Sequence, residues 1–419
     1  MRADPPARIA RAGRRAVVAA ALVLAAHLPA AAPAVAAEGD GDGLAAVDWL
    51  PRPFHRGEDI ARRLADLEAG ETLELDAGTH VLAAPLVIAR DGVTIRGAGV
   101  DRTVLVATFG GRDTAVLDIR GMLAREAASA GRCTPLGGAA VAGGARLSLA
   151  RPPEIARDGI LAVRAPNDDA FLDAIGSRVW RRQYPYLRWT MARVEGVDGA
   201  RVLLDRPLAI EMPATGRACP VDAVEGVSVT DLSVVYRPAA PADPSLHENA
   251  APAALVDGIR VMGAVGAVIE RVRVVNAGRH PVHLDETLDA RLEDVALCGA
   301  INKGTGGTGY LRIARSRDAR LSRIVVRGLR HVAIQWSTHD SRIDALDSDT
   351  GVDFHGGWTR RNTVTGSVVV RQGHPFPTVR ETPTDARWAP PGGPGDSFAS
   401  ASVAPPAIDC GPPLPFETR

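Results

Sequence analysis

The feature that most limits what this chain can fold into is an internal repeat of roughly 22 residues. Four segments align: Asp289-Ala290-Arg291-Leu292-Glu293-Asp294-Val295, Asp318-Ala319-Arg320-Leu321-Ser322-Arg323-Ile324, Asp340-Ser341-Arg342-Ile343-Asp344-Ala345-Leu346 and Arg361-Asn362-Thr363-Val364-Thr365-Gly366-Ser367. Their starts lie 29, 22 and 21 residues apart. Upstream, Val227-Ser228-Val229-Thr230-Asp231-Leu232 and Val268-Ile269-Glu270-Arg271-Val272 have the same character. Second short runs lie between them: Gly258-Ile259-Arg260-Val261, Val282-His283-Leu284, Tyr310-Leu311-Arg312-Ile313, Val332-Ala333-Ile334-Gln335-Trp336 and Val352-Asp353-Phe354-His355. Each run alternates with the two-residue period of a strand, and Gly, Asn and Asp punctuate them.

One such unit cannot bury its own apolar face, whereas stacked units share a continuous core. Strand–turn–strand units of this length fit the coils of a parallel β-helix. The Leu/Asn consensus of a leucine-rich repeat is absent, and a propeller blade needs about 40 residues and antiparallel hairpins. The front of the chain continues the pattern. Asp59 to Leu67 reads as a capping helix, followed by the runs Thr72–Leu75, Leu86–Ile88 and Thr103–Val106. Residues 122–222 break the rhythm with longer strands and read as a small β-rich insertion. Its aromatic stretch (Trp180, Tyr184, Tyr186, Trp189) either overhangs a sugar-binding groove or forms the insertion's own core.

The stretches Leu75-Asp76-Ala77-Gly78-Thr79-His80, Val93-Thr94-Ile95-Arg96-Gly97-Ala98-Gly99 and Thr103-Val104-Leu105 resemble the opening of the pectate-lyase-like superfamily. The resemblance covers residues 59–121 and 223–370. It implies an all-β fold, a right-handed parallel β-helix (solenoid) with the insertion and capping helix attached. The superfamily includes lyases, hydrolases, epimerases and non-catalytic binders, so fold alone names no substrate. The N-T-D, G-H-G and R-x-K signatures of polygalacturonases are missing, as is the R-x-x-R-x-P of calcium-dependent pectate lyases. In its use of lysine and arginine the chain is similar to the chondroitinase B and alginate lyase group, without a full motif.

The expected organisation is a signal peptide (1–36), an N-terminal cap with the first coils (37–121), the insertion (122–222), the main coils (223–371) and a Pro/Gly-rich, disordered or surface-wrapping tail (372–419). Arg11, Arg14 and Arg15 precede an apolar run from Ala16 to Leu28 and an Ala34-Val35-Ala36 site, the layout of an export signal. The mature chain is therefore expected to be secreted or periplasmic and monomeric, with no membrane span. Four cysteines fit an oxidising compartment; of three possible pairings, Cys133–Cys219 is favoured because both lie in the insertion. Acids and bases balance at 49 each, which gives no electrostatic footprint for nucleic acid. The expected partner is a polysaccharide.

Pleat alternation selects the candidate site. If Val282, Leu284, Leu311, Ile313, Val332, Ile334, Val352 and Phe354 point inward, then His283, Asp285, Tyr310, Arg312, Gln335, Asp353 and His355 point outward on neighbouring rungs about 4.8 Å apart. Flanking turns add His280, His331, His339, Asp340, Asp349, Trp358 and Arg361. Six of the ten histidines fall between 280 and 374. Lys303, the single lysine, sits in a Gly-rich turn beside this row, and lysine can lose its proton where arginine cannot. Two reactions suit these residues. In β-elimination from a uronate, Lys303 or His283 is the base, Tyr310 or His355 the acid, and Arg312 neutralises the developing charge. In hydrolysis, Asp353 works with Asp285 or Asp349. Gln335, His339, Trp358, Arg361 and Asp285 are the expected substrate contacts. No cofactor is required; His283, Asp285, Asp353 and His355 are ligand types for a metal, and Asp347, Asp349 and Asp353 for calcium. The alternative is a non-catalytic carbohydrate-binding or adhesion protein.

Overall fold

The computed structural model describes residues 50–177, 180, 186–238, 255–304 and 308–411. The stretch read as an export signal (1–36) and the 239–254 segment lie outside the described residues. The chain winds as a right-handed parallel β-helix. One sheet runs from Phe54–Arg56 through Gly78–Leu82, Thr103–Ala107, Ser228–Tyr236, Val268–Ala277, Arg291–Ala300, Arg320–Arg327, Arg342–Ser348 and Thr363–Val368 to Ser397–Ser400. A second sheet stacks Leu86–Ile88, Thr114–Arg120, Val256–Val265, Val282–Leu288, Tyr310–Ala314, His331–Gln335, Val352–Phe354 and Val379–Glu381. Successive rungs pair in parallel, one per turn of the helix. The repeat read from the sequence is thus one strand of each sheet plus its turns.

Aliphatic side chains from both sheets fill the lumen. Val282, Leu284, Leu311, Ile313, Val332, Ile334, Val352 and Phe354 all belong to one buried cluster with Leu292, Val295, Leu321, Ile324 and Ile343. A slip of one residue would have put the polar row inside instead. The cap is the Glu58–Asp66 helix, which buries Ile60 and Leu64 against the first coil. It covers an edge that would otherwise offer unpaired backbone groups to another chain.

The repeat's leading aspartates have a structural reason. Asp289, Asp318 and Asp340 adopt positive φ (56°, 56° and 57°), and Arg361 follows at 52°. Aspartate tolerates this left-handed turn better than most residues. Arg206 of the insertion spans two of them, at 2.8 and 2.9 Å from Asp289 and 2.9 Å from Asp318. A second column of positive-φ residues bends each long strand of the first sheet at its middle: Asp231, Arg271, Asp294, Arg323 and Ala345. The parallel registers skip these positions on every rung. The charges of the first four alternate, and Arg271 holds Asp231 with two bonds of 2.6 and 2.9 Å, as Arg323 holds Asp294.

The insertion is an antiparallel sheet of six strands between Thr134 and Val221, with the Asp169–Ala174 helix on it. The Cys133–Cys219 bridge closes it. Trp189 is buried in a cluster that joins Ile160 and Met191 of the insertion to Val265 and Leu288 of the coils, and Trp180 lies 5.8 Å from Trp336 of the coils, so these aromatics seat the insertion. Tyr184 lies outside the described residues. The expectation of a disordered tail needs correction. Residues Val379–Glu381 and Ser397–Ser400 each add a parallel strand to a main sheet, and a Cys298–Cys410 bridge ties the end of the described chain to the first sheet. Pro and Gly there make turns between strands rather than preventing them. No helix among the described residues is long and apolar enough to cross a membrane.

Candidate functional site

The outward face of the second sheet carries the polar row. Register places Asp118, Arg260, His283, Arg312, Ala333, Asp353 and Arg380 side by side on seven successive rungs. A parallel column contains Met262, Asp285, Ala314 and Gln335. Sequence alternation therefore predicts the ladder correctly. It does not predict the covering. His283 (4% exposed), Asp285, Tyr310, Gln335, Asp353 and His355 (9%) are all buried, so the face that alternation points outward is largely covered. Arg312 and Arg315 keep partial access to solvent. On one flank Ser337 Oγ donates to the Leu187 carbonyl of the insertion. On the other, Phe376 and Arg380 of the tail pack on His331 and Asp353.

Charge pairing on this face is dense. Arg260 binds Asp118 with two bonds, 2.9 and 2.7 Å, both residues nearly inaccessible. Arg279 binds Asp257 the same way at 2.8 Å each. Asp257 also accepts from the His280 backbone (3.1 Å) and contacts His283 Nδ1 at 3.1 Å. Burial alone would raise the Asp257 carboxyl, but Arg279 and His283 hold it well below the usual carboxylate range. The carboxylate fixes the His283 tautomer, with its proton on Nδ1. His283 Nε2 then carries a lone pair, makes no hydrogen bond and lies 3.8 Å from Asp285. Burial, and then Arg312, lower the His283 pKa, so the ring is a neutral base at pH 7. Close packing underlies this arrangement: a Cβ on Gly258, next to Asp257, would stand 2.5 Å from the Pro281 carbonyl and from Val274.

The next rungs complete the cluster. With the Gln335 amide oriented to offer its oxygen, it accepts from Arg312 at 2.6 and 3.3 Å. Asp285 is engaged by Arg315, and despite its burial this keeps it ionised. Glu286, beside it, is pushed upward by burial and by Asp285, while accepting from the Ala124 amide at 2.6 Å. Tyr310 stacks on His331 (4.3 Å between ring centroids) and lies 5.4 Å from the His280 ring. Burial raises its phenol pKa, so it keeps its proton. Arg380 holds Asp353 through one carboxylate oxygen.

Several expected site residues have other work. Lys303 is not in the row: its ammonium donates to the Ala300 carbonyl (3.1 Å), and it lines a cavity of about 220 Å³ with Leu329, Arg371 and His374. His339 is wholly buried, between the Thr190 hydroxyl (3.0 Å) and the Ser337 carbonyl (2.7 Å), and joins the insertion to the coils. Trp358 packs edge-on against Phe171 at 5.7 Å. Arg361 pairs with Asp340 and donates to the Ala209 carbonyl. These three fasten the insertion, which the sequence leaves without a stated contact. The calcium trio is not assembled: Arg327 takes Asp347, Arg371 takes Asp349, and Arg380 takes Asp353 on the other sheet. Conversely, Asp257 and Arg279 escape the sequence reading because they stand at strand ends, where alternation gives no direction. Arg260 and Asp118 were readable from alternation in their own strands.

No protein-family model and no curated protein sequence matches the chain. Among solved structures it is similar to the tailspike protein gp49 of Pseudomonas phage LKA1 (15% identity, 73% of this chain and 52% of that one, TM-score 0.47). It is similar also to the Gp54 tailspike of Acinetobacter baumannii bacteriophage AP22 in complex with capsular saccharide (9%, 84% and 68%, TM-score 0.35). A third is the alginate lyase AlyF-OU02 in complex with G6 (9%, 78% and 61%, TM-score 0.29). The chain spans about half the length of the first of these. Function must be read from the site.

Proposed function

We propose that this protein acts outside the cytoplasm on an acidic polysaccharide, cleaving it by β-elimination at the His283 face of the second sheet. The observation that carries this reading is the Arg279–Asp257–His283 relay, whose terminal Nε2 is unbonded beside Arg312. In this scheme His283 Nε2 takes the C5 proton of a uronate. The C–H electron pair forms the C4–C5 double bond, the C4–O bond breaks, and the leaving oxygen takes the Tyr310 proton. Arg312, oriented by Gln335, stabilises the charge that develops on the carboxylate. Solvent then returns a proton to Tyr310 and removes one from His283. Arg312 and Arg315 mark the accessible rim where the substrate carboxylate enters.

The test is incubation of the purified protein with pectate, alginate and glycosaminoglycans while following ultraviolet absorbance of unsaturated uronate. His283→Gln should lower kcat by about 10²–10⁴-fold with little change in substrate affinity. Reducing ends without the unsaturated product would refute elimination in favour of hydrolysis. A second reading, a non-catalytic binder, draws on the fact that Asp285 and Asp353 are already committed to Arg315 and Arg380. Polysaccharide binding that survives His283→Gln, with no product from the wild type, would select it.

A further inference from the structure

We propose that His331, Asp353 and His355 bind a divalent transition-metal ion. The site does not rest on the elimination reading and uses different side chains. Asp353 lies in the Val352–Phe354 strand, whose Val352 and Phe354 enter the core, and His355 follows directly, its backbone N–H donating to the Ile334 carbonyl of the neighbouring strand at 2.8 Å. His331 opens the neighbouring strand, and the Val332–Val352 register sets it diagonally across from Asp353. One ligand-type atom from each of the three lies within 4.8 Å of the other two. Nitrogen and oxygen ligands at about 2.0–2.2 Å from an ion stand roughly 3–4 Å from one another, so small side-chain rotations close the set.

The unmet polar atoms point the same way. All three residues are buried, at 1%, 2% and 9% exposure. Neither nitrogen of His331 makes a hydrogen bond, nor does His355 Nδ1 or Asp353 Oδ1. His331 Nε2 stands 3.4 Å from the other carboxylate oxygen. A buried acceptor left without a partner costs about 1–3 kcal/mol, so several in one spot call for a common partner. An anion would be repelled by Asp353 Oδ1, whereas a cation satisfies a carboxylate and two imidazole lone pairs together. Arg380 grips only Oδ2, at 3.0 Å through Nε, which orients the carboxylate and leaves Oδ1 available. Two imidazoles and one carboxylate suit zinc, cobalt, nickel or iron(II) rather than calcium, which prefers an all-oxygen shell. Arg330 and Arg380, both stacked on Phe376, add positive charge that disfavours a weakly held cation.

The experiment uses the full chain, stripped with chelator and dialysed against Zn²⁺ or Co²⁺ alone. Metal content is read by mass spectrometry and the cobalt form by its visible ligand-field absorption. One equivalent per chain is expected, with affinity at least about tenfold weaker in His331→Gln and His355→Gln and unchanged in His55→Gln. Equal thermal melting of all four proteins in chelator shows that the variants fold. No stoichiometric metal, or the same metal content in both site variants, overturns the proposal. Saccharide hydroxyls satisfying these atoms instead would appear as the first of those outcomes.

Discussion

Two buried histidines predict how stability responds to mild acid. His280 and His339 are both fully inaccessible. His280 Nδ1 accepts the Tyr310 backbone N–H at 3.3 Å and therefore has no proton there. His339 Nδ1 donates to the Ser337 carbonyl, and its Nε2 accepts from Thr190, whose hydroxyl in turn accepts from Arg317 at 3.2 Å. Burial holds both rings well below their ordinary value near 6.5; Arg360 and Arg317 reinforce this at His339. A group whose folded pKa is depressed in this way takes up its proton in the unfolded chain first. Stability is then full above the unfolded pKa and falls as pH drops below it. For a ring that stays neutral in the fold, lowering pH from 6.5 to 5.5 costs about 1 kcal/mol, or about 2 kcal/mol for the pair. That is visible against a typical total of about 5–15 kcal/mol. Asp257 and Asp285 also stabilise when ionised, but their contribution is lost only as pH falls through the lower carboxylate range. Glu286 and Asp396, pushed upward, act in the opposite sense, so the difference between wild type and single variants is the informative quantity. Urea unfolding of wild type and His339→Gln at both pH values measures it. The pH-dependent loss should be smaller by about 1 kcal/mol in the variant. An identical pH dependence in the two proteins would refute the assignment of His339 as neutral.

Other expectations follow from the pairings described. Cys298→Ser with Cys410→Ser should lower unfolding free energy by about 2–4 kcal/mol, since the bridge closes a loop of 112 residues; an unchanged urea midpoint would show that the last rungs hold without it. Arg260→Met should cost about 3–5 kcal/mol by leaving Asp118 buried and unpaired, and adding Asp118→Leu should recover much of that loss. A double variant no more stable than the single one would show that the pair itself, not the orphaned charge, matters.

The fold was legible because a solenoid writes its geometry locally. Each strand's alternation is set by the lumen a few ångströms away, so Val282, Leu311, Val332 and Val352 announced their direction without any long-range information. The turns were legible for the same reason, since aspartates recur where φ must be positive. The covering of the site was not legible. Contacts such as Ser337–Leu187 and His339–Thr190 join residues about 150 apart in sequence, and no local pattern encodes them. For that reason the sequence assigns His339 and Trp358 to substrate contact, whereas both pack between the insertion and the coils. The tail was misread because its prolines and glycines carry the signature of a linker, while three- and four-residue strands need only an existing sheet edge to pair with.

The alternating column at the bend of the first sheet restricts how such a molecule can lengthen. Asp231, Arg271, Asp294 and Arg323 neighbour one another rung by rung. Copying a single turn of the coil would set arginine against arginine or aspartate against aspartate, at a bend where the backbone is already in a costly conformation. Copying two together would preserve the alternation. Growth or shortening of this stretch by duplication should therefore proceed in even steps.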